Sequence, residues 1–223
     1  MQPNTSGDPL STTSQIEEPV GEPVDGRTAR AVRTRDGLVE ATIELVEEGD
    51  LRPTAPRIAE RAGVSVRSVF QHFDDLETLF AAMGTRVLER LAPLVRPIDS
   101  SAPLAERISA FVRQRCEVHE AVTAINRAAI LQAPTSATIG HQFQTGHDFG
   151  SAHAKEVFGP ELAAAGVRHG EVFDSIVIAC SWNTWDLLRT LEHRSVEEAT
   201  ATVAAMVGLV LDGARARQAG EPA

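Results

Sequence analysis

Four hydrogen-bonding side chains are grouped in one short stretch of the chain, RIAERAGVSVRSVFQHF, at residues 57–73. On a helix that turns 100° per residue they share one side: Arg67, Ser68, Gln71 and His72. Arginine can donate two hydrogen bonds to guanine, and glutamine can form two with adenine. Serine and histidine can donate to phosphate oxygens or to base edges. A helix that exposes this side therefore has the chemistry to contact a DNA duplex.

The residues around this stretch predict how such a helix is held. The apolar side chains of the same run fall within about 100° of arc and predict a buried stripe: Val66, Val69, Phe70 and Phe73. Ser65 occupies the position of a helix N-cap, and Gly63 can adopt the positive φ needed after the preceding helix. Thr54 is the expected N-cap of that preceding helix. The pattern is typical of a helix-turn-helix, whose second helix fits the major groove.

An ordinary amphipathic helix pair inside a bundle is the alternative interpretation. Four arginines without an intervening acid favour DNA binding instead: Arg27, Arg30, Arg33 and Arg35. Their alternative role is simply to make a helix end soluble. The net charge of −10 at pH 7 argues against nucleic-acid binding by the whole surface, but it leaves room for a local basic patch.

The rest of the chain predicts an all-α protein of about nine helices. Residues 1–26 are rich in Pro, Gly, Ser, Thr and acid and are expected to form a disordered acidic tail, not a signal peptide. A three-helix unit is expected at 27–74 and a helical domain at 75–223, whose first helix is capped by Asp74 or Asp75. Later helical runs are predicted at 103–119, 120–132, 136–158, 170–192 and 195–217, with a break across Gly159–Gly170.

Residues 54–83, TAPRIAERAGVSVRSVFQHFDDLETLFAAM, resemble the N-terminal DNA-binding domain of TetR-type transcriptional regulators. The resemblance extends upstream through a first helix at about 30–48, whereas the downstream half resembles the family only in layout. It implies a sequence-specific DNA-binding regulator: a repressor that binds palindromic double-stranded DNA as a homodimer and is released by a small-molecule effector. The alternative is a DNA-binding dimer without such an effector, controlled by a protein partner or by its expression level.

The resemblance also assigns roles by position. The positions at helix starts that face phosphate are Thr54, Arg57 and Ser65, and the base-facing row is Arg67, Ser68 and Gln71. Phe70 and His72 match residues that often contact the DNA backbone, and Arg30 and Arg33 add charge upstream. Three departures predict weaker backbone contacts: Phe70 where tyrosine is common, Leu76 where lysine is common, and the acids Asp74 and Asp75.

The two last helical runs each carry apolar residues over more than half of their circumference, and such helices must be covered on two sides. In the last run, Ala201, Ala205 and Gly208 form a small-residue side that permits close approach of another helix. A symmetric dimer, with two helices from each subunit in a four-helix bundle, would cover the second side of both helices. The alternative is a helix central to its own domain.

The resemblance further implies a ligand cavity between the fourth helix and the last pair. Its candidate lining residues, each of which would serve equally well in a core, are Met83, Val87, Phe111, Arg115, Ile125, Phe143, His147 and Trp182. His141, His147, Asp148 and His153 lack the three- or four-residue spacing that places metal ligands on one helix face, so no metal or other cofactor is predicted.

Other classes of protein lack support in the sequence. The motifs of metalloproteases, α/β-hydrolases, phosphate-binding loops and dinucleotide-binding folds are missing, so no enzyme is predicted. No apolar run approaches the roughly 18 residues of a membrane span, and a cytoplasmic location is expected. Cys116 and Cys180 are expected to be buried, reduced thiols.

Overall fold

The structure, a computed structural model, describes residues 26–220, and of these the side chains of residues 26–216. The expected tail at 1–26 lies outside the described residues except for Gly26, which begins the first helix. All regular elements between residues 26 and 220 are helical, so the all-α prediction is confirmed. The α-helices are α1 Gly26–Glu47, α2 Ala55–Arg61, α3 Val66–His72, α4 Leu76–Leu91, α5 Leu104–Gln132, α6 Ala137–Val157, α7 Gly159–Ala164, α8 His169–Ala179, α9 Trp182–Asp186 and α10 Val196–Gly220.

The predicted helix boundaries in the amino-terminal unit are confirmed by their capping geometry. The Ser65 hydroxyl accepts a hydrogen bond from the Ser68 amide at 3.2 Å and caps α3. Gly63 has φ +66°, the left-handed conformation that glycine adopts without strain. Thr54 holds the N-cap position of α2, but its side chain makes no capping hydrogen bond.

Helix α4 begins at a stronger cap. The Asp75 carboxylate accepts hydrogen bonds from both the amide and the hydroxyl of Thr78, at 2.7 and 2.8 Å. These bonds hold the pKa of Asp75 below its usual value. Asp75 therefore serves as the cap, and Asp74 does not.

The carboxy-terminal helices differ from the predicted runs at three places. The runs expected at 103–119 and 120–132 form one continuous helix, α5. The residues at the expected junction are His119 and Glu120, and neither of them breaks a helix as Gly or Pro would. The expected break across Gly159–Gly170 contains α7, which begins with Pro160 in its first turn. The run expected at 170–192 is interrupted at Cys180 and Ser181, where the Ser181 hydroxyl caps α9 before a π-helical turn at Leu187–Leu191.

Helix α10 packs one face against α5 and α8 and leaves another face exposed. The residues of the packed face are Ala199, Val203, Val207 and Leu211. The span Val196–Ala216 is also long and apolar enough, with mean hydropathy 1.3, to meet a length-and-composition test for a membrane helix. The sequence analysis expected no apolar run close to the length of a membrane span. The span in α10 passes the test even though Thr and Gly are interspersed among its apolar residues. The buried face identifies α10 as a packing helix of this fold.

Candidate nucleic-acid interface and ligand cavity

The exposed face of α3 is broader and less polar than the sequence predicts. Val69 and Phe73 are almost completely buried and anchor the helix, as predicted. Val66 and Phe70, expected in the same buried stripe, are instead 40% and 51% exposed. A seven-residue helix that packs on only one side buries a narrow edge, so half of the predicted stripe lies in the open.

The predicted base-facing residues lie on this open face and at its edge. Arg67 and Gln71 are exposed next to Val66 and Phe70, and they have room to extend toward a partner surface. Ser68 and His72 are half-buried at one edge of the face. The open face of α3 is therefore defined by Val66, Arg67, Phe70 and Gln71, with Ser68 and His72 beside it.

The other predicted DNA contacts surround this helix. Thr54 and Ser65 are exposed at the starts of α2 and α3. Arg57 is exposed but forms an ion pair with Asp50, with Nη1 and Oδ2 2.5 Å apart, so a phosphate contact would compete with that pair. Arg30 and Arg33 are exposed on α1, where they border a shallow groove against Ala62 and Val64.

Arg35, one of the four arginines that favour DNA binding, has a structural contact. Its guanidinium lies 4.3 Å from the centroid of the Phe73 ring, within cation–π distance. It therefore packs the middle of α1 against the end of α3.

Helix α4 is joined by ion pairs to α1 of the amino-terminal unit. Arg86 donates to Asp36 and to Glu40, each at 2.8 Å, and Arg90 pairs with Glu40 as well. Helix α1 also packs against α2 and α3, so α4 is connected through α1 to the helix that carries Arg67.

The opposite side of α4 forms one wall of a cavity of about 440 Å³ between α4, α5, α6 and the α8–α9 junction. All eight residues predicted from the resemblance lie at its wall: Met83, Val87, Phe111, Arg115, Ile125, Phe143, His147 and Trp182. His147 is exposed and marks the mouth of the cavity, whereas Phe111 and Ile125 are buried at its apolar wall. The predicted lining is thus brought together in one place, largely apolar with a few polar groups.

Arg115 and His119 are the main polar groups of the cavity wall. The Nε2 atom of His119 lies 2.8 Å from the carbonyl oxygen of Cys180, and since a carbonyl only accepts, Nε2 carries the proton and donates. Burial, together with the Arg115 charge, lowers the pKa of His119 to about 3, so the imidazole is neutral at physiological pH. Burial also lowers the pKa of Arg115, although a guanidinium stays protonated in proteins.

Two glycines in the cavity wall were not predicted from the sequence to have a role there. A Cβ atom on Gly150 would lie 2.6 Å from Nη2 of Arg115, so glycine leaves the space that the guanidinium occupies. A Cβ atom on Gly84 would lie 2.5 Å from Oε1 of Gln142, whose amide donates to the Ala81 carbonyl of α4. Both glycines are inside helices and have no turn or motif around them, so no local signal marks their role.

The histidines and cysteines do not assemble into a metal site within the described part of the chain. Between residues 26 and 216, no three His, Cys, Asp or Glu side chains lie close enough together to hold a metal ion. His153 instead packs against the Phe111 ring, with centroids 5.2 Å apart, and His141 is exposed. Cys116 and Cys180 are buried and form no disulfide, and burial raises the pKa of their thiols to about 11 and about 12.

Known proteins resemble this chain in two ways, through the sequence of its amino-terminal unit and through its overall fold. Residues 38–83 match the family model described as bacterial regulatory proteins, tetR family. A transcriptional regulator from Rhodococcus sp. RHA1 shares 16% identity over 82% of this chain and 96% of its own, with a TM-score of 0.61. A TetR transcription regulator from Haloarcula marismortui shares 18% identity over 82% and 98%, with a TM-score of 0.61.

A third structural relative is GusR of Salmonella enterica, with 17% identity over 80% of this chain and 96% of its own and a TM-score of 0.57. A comparison with curated protein sequences finds no significant match. The solved structures therefore share the fold over nearly their whole length, and the family model covers α2 and α3 with the end of α1 and the first half of α4.

Proposed function

We propose that the chain is a TetR-type transcriptional regulator, because residues 38–83 match that family's model and the solved relatives share its fold. It would act as a homodimeric repressor whose operator affinity a small molecule lowers. In this proposal residues 27–74 are the DNA-binding domain and residues 75–223 bind the effector and the second subunit. The protein acts in the cytoplasm and catalyses no reaction.

The observation that carries the proposal is the open face of α3. Arg67 and Gln71 are exposed on it and make no ion pair or hydrogen bond with another side chain in the described residues. Val69 and Phe73 fix the opposite edge in the core, so the helix can be presented to a major groove without rearrangement. Arg67 is proposed to contact guanine and Gln71 adenine, with Ser68 and His72 at the edge of the contact. Thr54, Arg57, Ser65, Phe70, Arg30 and Arg33 are proposed to contact the DNA backbone.

The position of α4 supports control by a ligand. One side of α4 lines the cavity through Met83 and Val87, and the other side pairs with α1 through Arg86. A ligand that prefers a shifted α4 would change the placement of α3 and lower operator affinity. A ligand that binds both positions of α4 equally would have no effect.

The exposed face of α10 supports a dimer. Ala205, Met206 and Leu209 are exposed there, with Leu209 74% exposed, and Ile178 is 65% exposed on the neighbouring α8. An isologous contact through these helices would cover both apolar surfaces. It would also hold two recognition helices at the spacing of about 34 Å that successive major grooves require.

Selection of bound sequences from random duplex DNA tests this function. The full chain is expected to enrich a palindrome whose half-sites are separated by about one helical turn. Repeating the selection with candidate small molecules is expected to reduce the yield of that palindrome. Enrichment of no sequence would contradict sequence-specific binding, and enrichment of a single, unrepeated half-site would contradict the dimer.

A DNA-binding dimer without a small-molecule effector is the alternative, and melting temperatures separate the two. A molecule that binds the native state raises the melting temperature, by an amount set by its concentration relative to its Kd. A metabolite panel is expected to contain at least one such molecule. A palindrome together with no stabilising molecule would favour the alternative.

A further inference from the structure

Arg115 is the only side chain with a permanent charge among the described residues that line the cavity. The rest of the wall contains apolar residues, small residues, neutral amides, hydroxyls, a thiol and two imidazoles, and it contains no Asp, Glu or Lys. The interior of this cavity is therefore positive, although the protein as a whole has a net charge of −10.

The acids nearest to Arg115 along α5 are engaged elsewhere. Glu117 accepts from Nη2 of Arg96 at 3.4 Å, and Glu120 pairs with Arg189 at 2.9 Å and accepts from the Trp185 ring. On a helix these two carboxylates point about 160° and 140° away from Arg115. Within the described residues, Arg115 has no ion pair.

The polar groups in contact with Arg115 do not neutralise it. Nη2 of Arg115 lies 3.5 Å from Nε2 of His119. That nitrogen carries a proton and donates it to the Cys180 carbonyl, so it cannot accept a hydrogen bond from Arg115. Cys116 and Cys180 remain protonated thiols at neutral pH because burial raises the pKa of each. Arg115 is half-buried, and burial lowers its pKa, so it loses hydration without gaining a counterion. A bound anion would supply that counterion.

The guanidinium occupies a space that a glycine leaves open. Its Nη1, Cζ and Nη2 atoms lie against the backbone of α6 at Gly150, where a Cβ atom would approach all three within 3.0 Å. A planar guanidinium in this space can form two parallel hydrogen bonds with a carboxylate.

Resting on the proposed function, we propose that the effector is a monocarboxylate with an apolar body, and that Arg115 binds its carboxylate inside the cavity. The volume of about 440 Å³ is in the range of roughly 300–1,000 Å³ that holds small organic ligands. Phe111, Ile125 and Trp182 would contact the apolar body. A second negative charge would be buried without a partner, so dicarboxylates and phosphate dianions are disfavoured.

Calorimetric titration of the full chain with matched acid and amide probes tests this proposal. The probes are octanoate, decanoate, 3-phenylpropanoate and 1-naphthoate, each beside the primary amide of the same skeleton, with sebacate as a dicarboxylate. At least one acid is expected to bind about tenfold to hundredfold more tightly than its amide, because a charge-assisted hydrogen bond to the Arg115 cation is lost in the amide. Sebacate is expected to bind more weakly than decanoate.

Two variants locate the preference for acids at Arg115. Arg115→Met keeps an unbranched apolar side chain and is expected to reduce the acid-over-amide ratio to near one. Arg113→Met is the matched control, because Arg113 is exposed on the same helix and does not line the cavity. It is expected to keep the wild-type ratio.

Gly150→Ala provides a second test that keeps the charge. The new methyl group would displace the flexible end of the Arg115 side chain, while alanine favours the helix more than glycine does. The variant is expected to melt no lower than wild type and to lose most of the acid preference, even if Arg115→Met fails to fold.

Operator binding, measured on the same preparations, separates the two proposals. Amides that bind as tightly as acids, absence of acid binding to wild type, or full acid preference in folded Arg115→Met or Gly150→Ala would each overturn the carboxylate proposal. None of these outcomes affects the selection of a palindrome. Selective acid binding without any sequence-specific DNA binding would support the carboxylate proposal and overturn the repressor.

Discussion

At the residue scale, Arg67 is the side chain whose removal tests base recognition most directly. It is exposed on the open face of α3, with no carboxylate partner among the described residues to restrain it. A bidentate contact with guanine contributes about 1–3 kcal/mol of discrimination. Because serine, histidine and phenylalanine carry less sequence information, base discrimination should depend mainly on Arg67 and Gln71.

Arg67→Ala is expected to weaken binding to the selected operator by about 1–3 kcal/mol and to relax the preference at one base pair of each half-site. Competition binding with single-base operator variants measures both. Arg113→Ala, an exposed arginine on α5, is the control and is expected to leave the operator Kd unchanged. A uniform loss across all duplexes would assign Arg67 to phosphate instead.

The residues that were predictable from the sequence are those whose role is local. Ser65 and Asp75 accept from amides three residues further on, and Gly63 needs only its own positive φ, so their types and positions suffice. Val66 and Phe70 were placed wrongly because helical periodicity tells which residues share a side but not how wide a surface will cover that side. The role of Gly150 could not be predicted, because it depends on Arg115, which lies on a different helix.

At the scale of elements, α4 connects the cavity with the amino-terminal unit of α1, α2 and α3. Arg86 pairs with Asp36 and Glu40 on successive turns of α1. The continuity of α5, missed in the sequence analysis, matters here as well, because one rigid helix carries Phe111, Arg115 and Ile125 along the cavity.

Arg86→Met is expected to leave the Kd of the carboxylate probe unchanged, because Arg86 does not line the cavity. The factor by which that probe lowers operator affinity is expected to fall about threefold or more, since the connection between α4 and α1 is weakened. Operator titrations with and without the probe give this factor. The control is Arg96→Met, which breaks an exposed pair with Glu117 beyond the end of α4. An unchanged factor in Arg86→Met would show that coupling takes another route.

The junction of α5 and α7 depends on a buried ion pair. Both oxygens of Glu161 accept from Arg107, at 2.5 and 2.8 Å, and Arg107 also donates to the Val157 carbonyl. The hydrogen bonds from Arg107 hold the pKa of Glu161 below its usual value.

Glu161→Gln is expected to lower the free energy of unfolding by about 3 kcal/mol at pH 7, because it leaves Arg107 buried without its counterion. The folded-state pKa of Glu161 is lowered, so its stabilisation is complete above the ordinary carboxyl pKa of about 4.3 and is lost as the pH falls through the folded-state value. The difference between wild type and variant should therefore narrow below about pH 4. Chemical unfolding across this range measures it.

Glu171→Gln is the matched control for the buried pair. It breaks an exposed ion pair with Arg168, whose Nε lies 2.9 Å from the Glu171 carboxylate, and surface pairs of this kind contribute little. Equal losses in the two variants would contradict a special role for burial at Glu161.

At the scale of the whole molecule, the exposed apolar face of α10 is expected to decide the oligomeric state. Leu209→Glu places a charge at the centre of this face, where Leu209 is 74% exposed in the single subunit. The variant is expected to be monomeric by light scattering at concentrations where wild type is dimeric. It is also expected to lose at least about hundredfold in affinity for the palindrome, because the two half-sites would bind independently.

Leu131→Glu introduces the same charge at an exposed leucine outside α10 and is expected to remain dimeric. A dimeric Leu209→Glu variant would place the subunit interface on a different surface.

The double role of α4 also limits how this protein can be redesigned. A chimera that joined residues 26–74 to the sensing half of a different relative would keep Arg67 but would discard the partner of Asp36 and Glu40. A junction after Leu91 would keep those ion pairs, but it would place Met83 and Val87 in the cavity of the other protein, whose ligand differs. Neither cut leaves both functions intact, so an exchange of operator specificity is best made by rewriting the few side chains on one short helix.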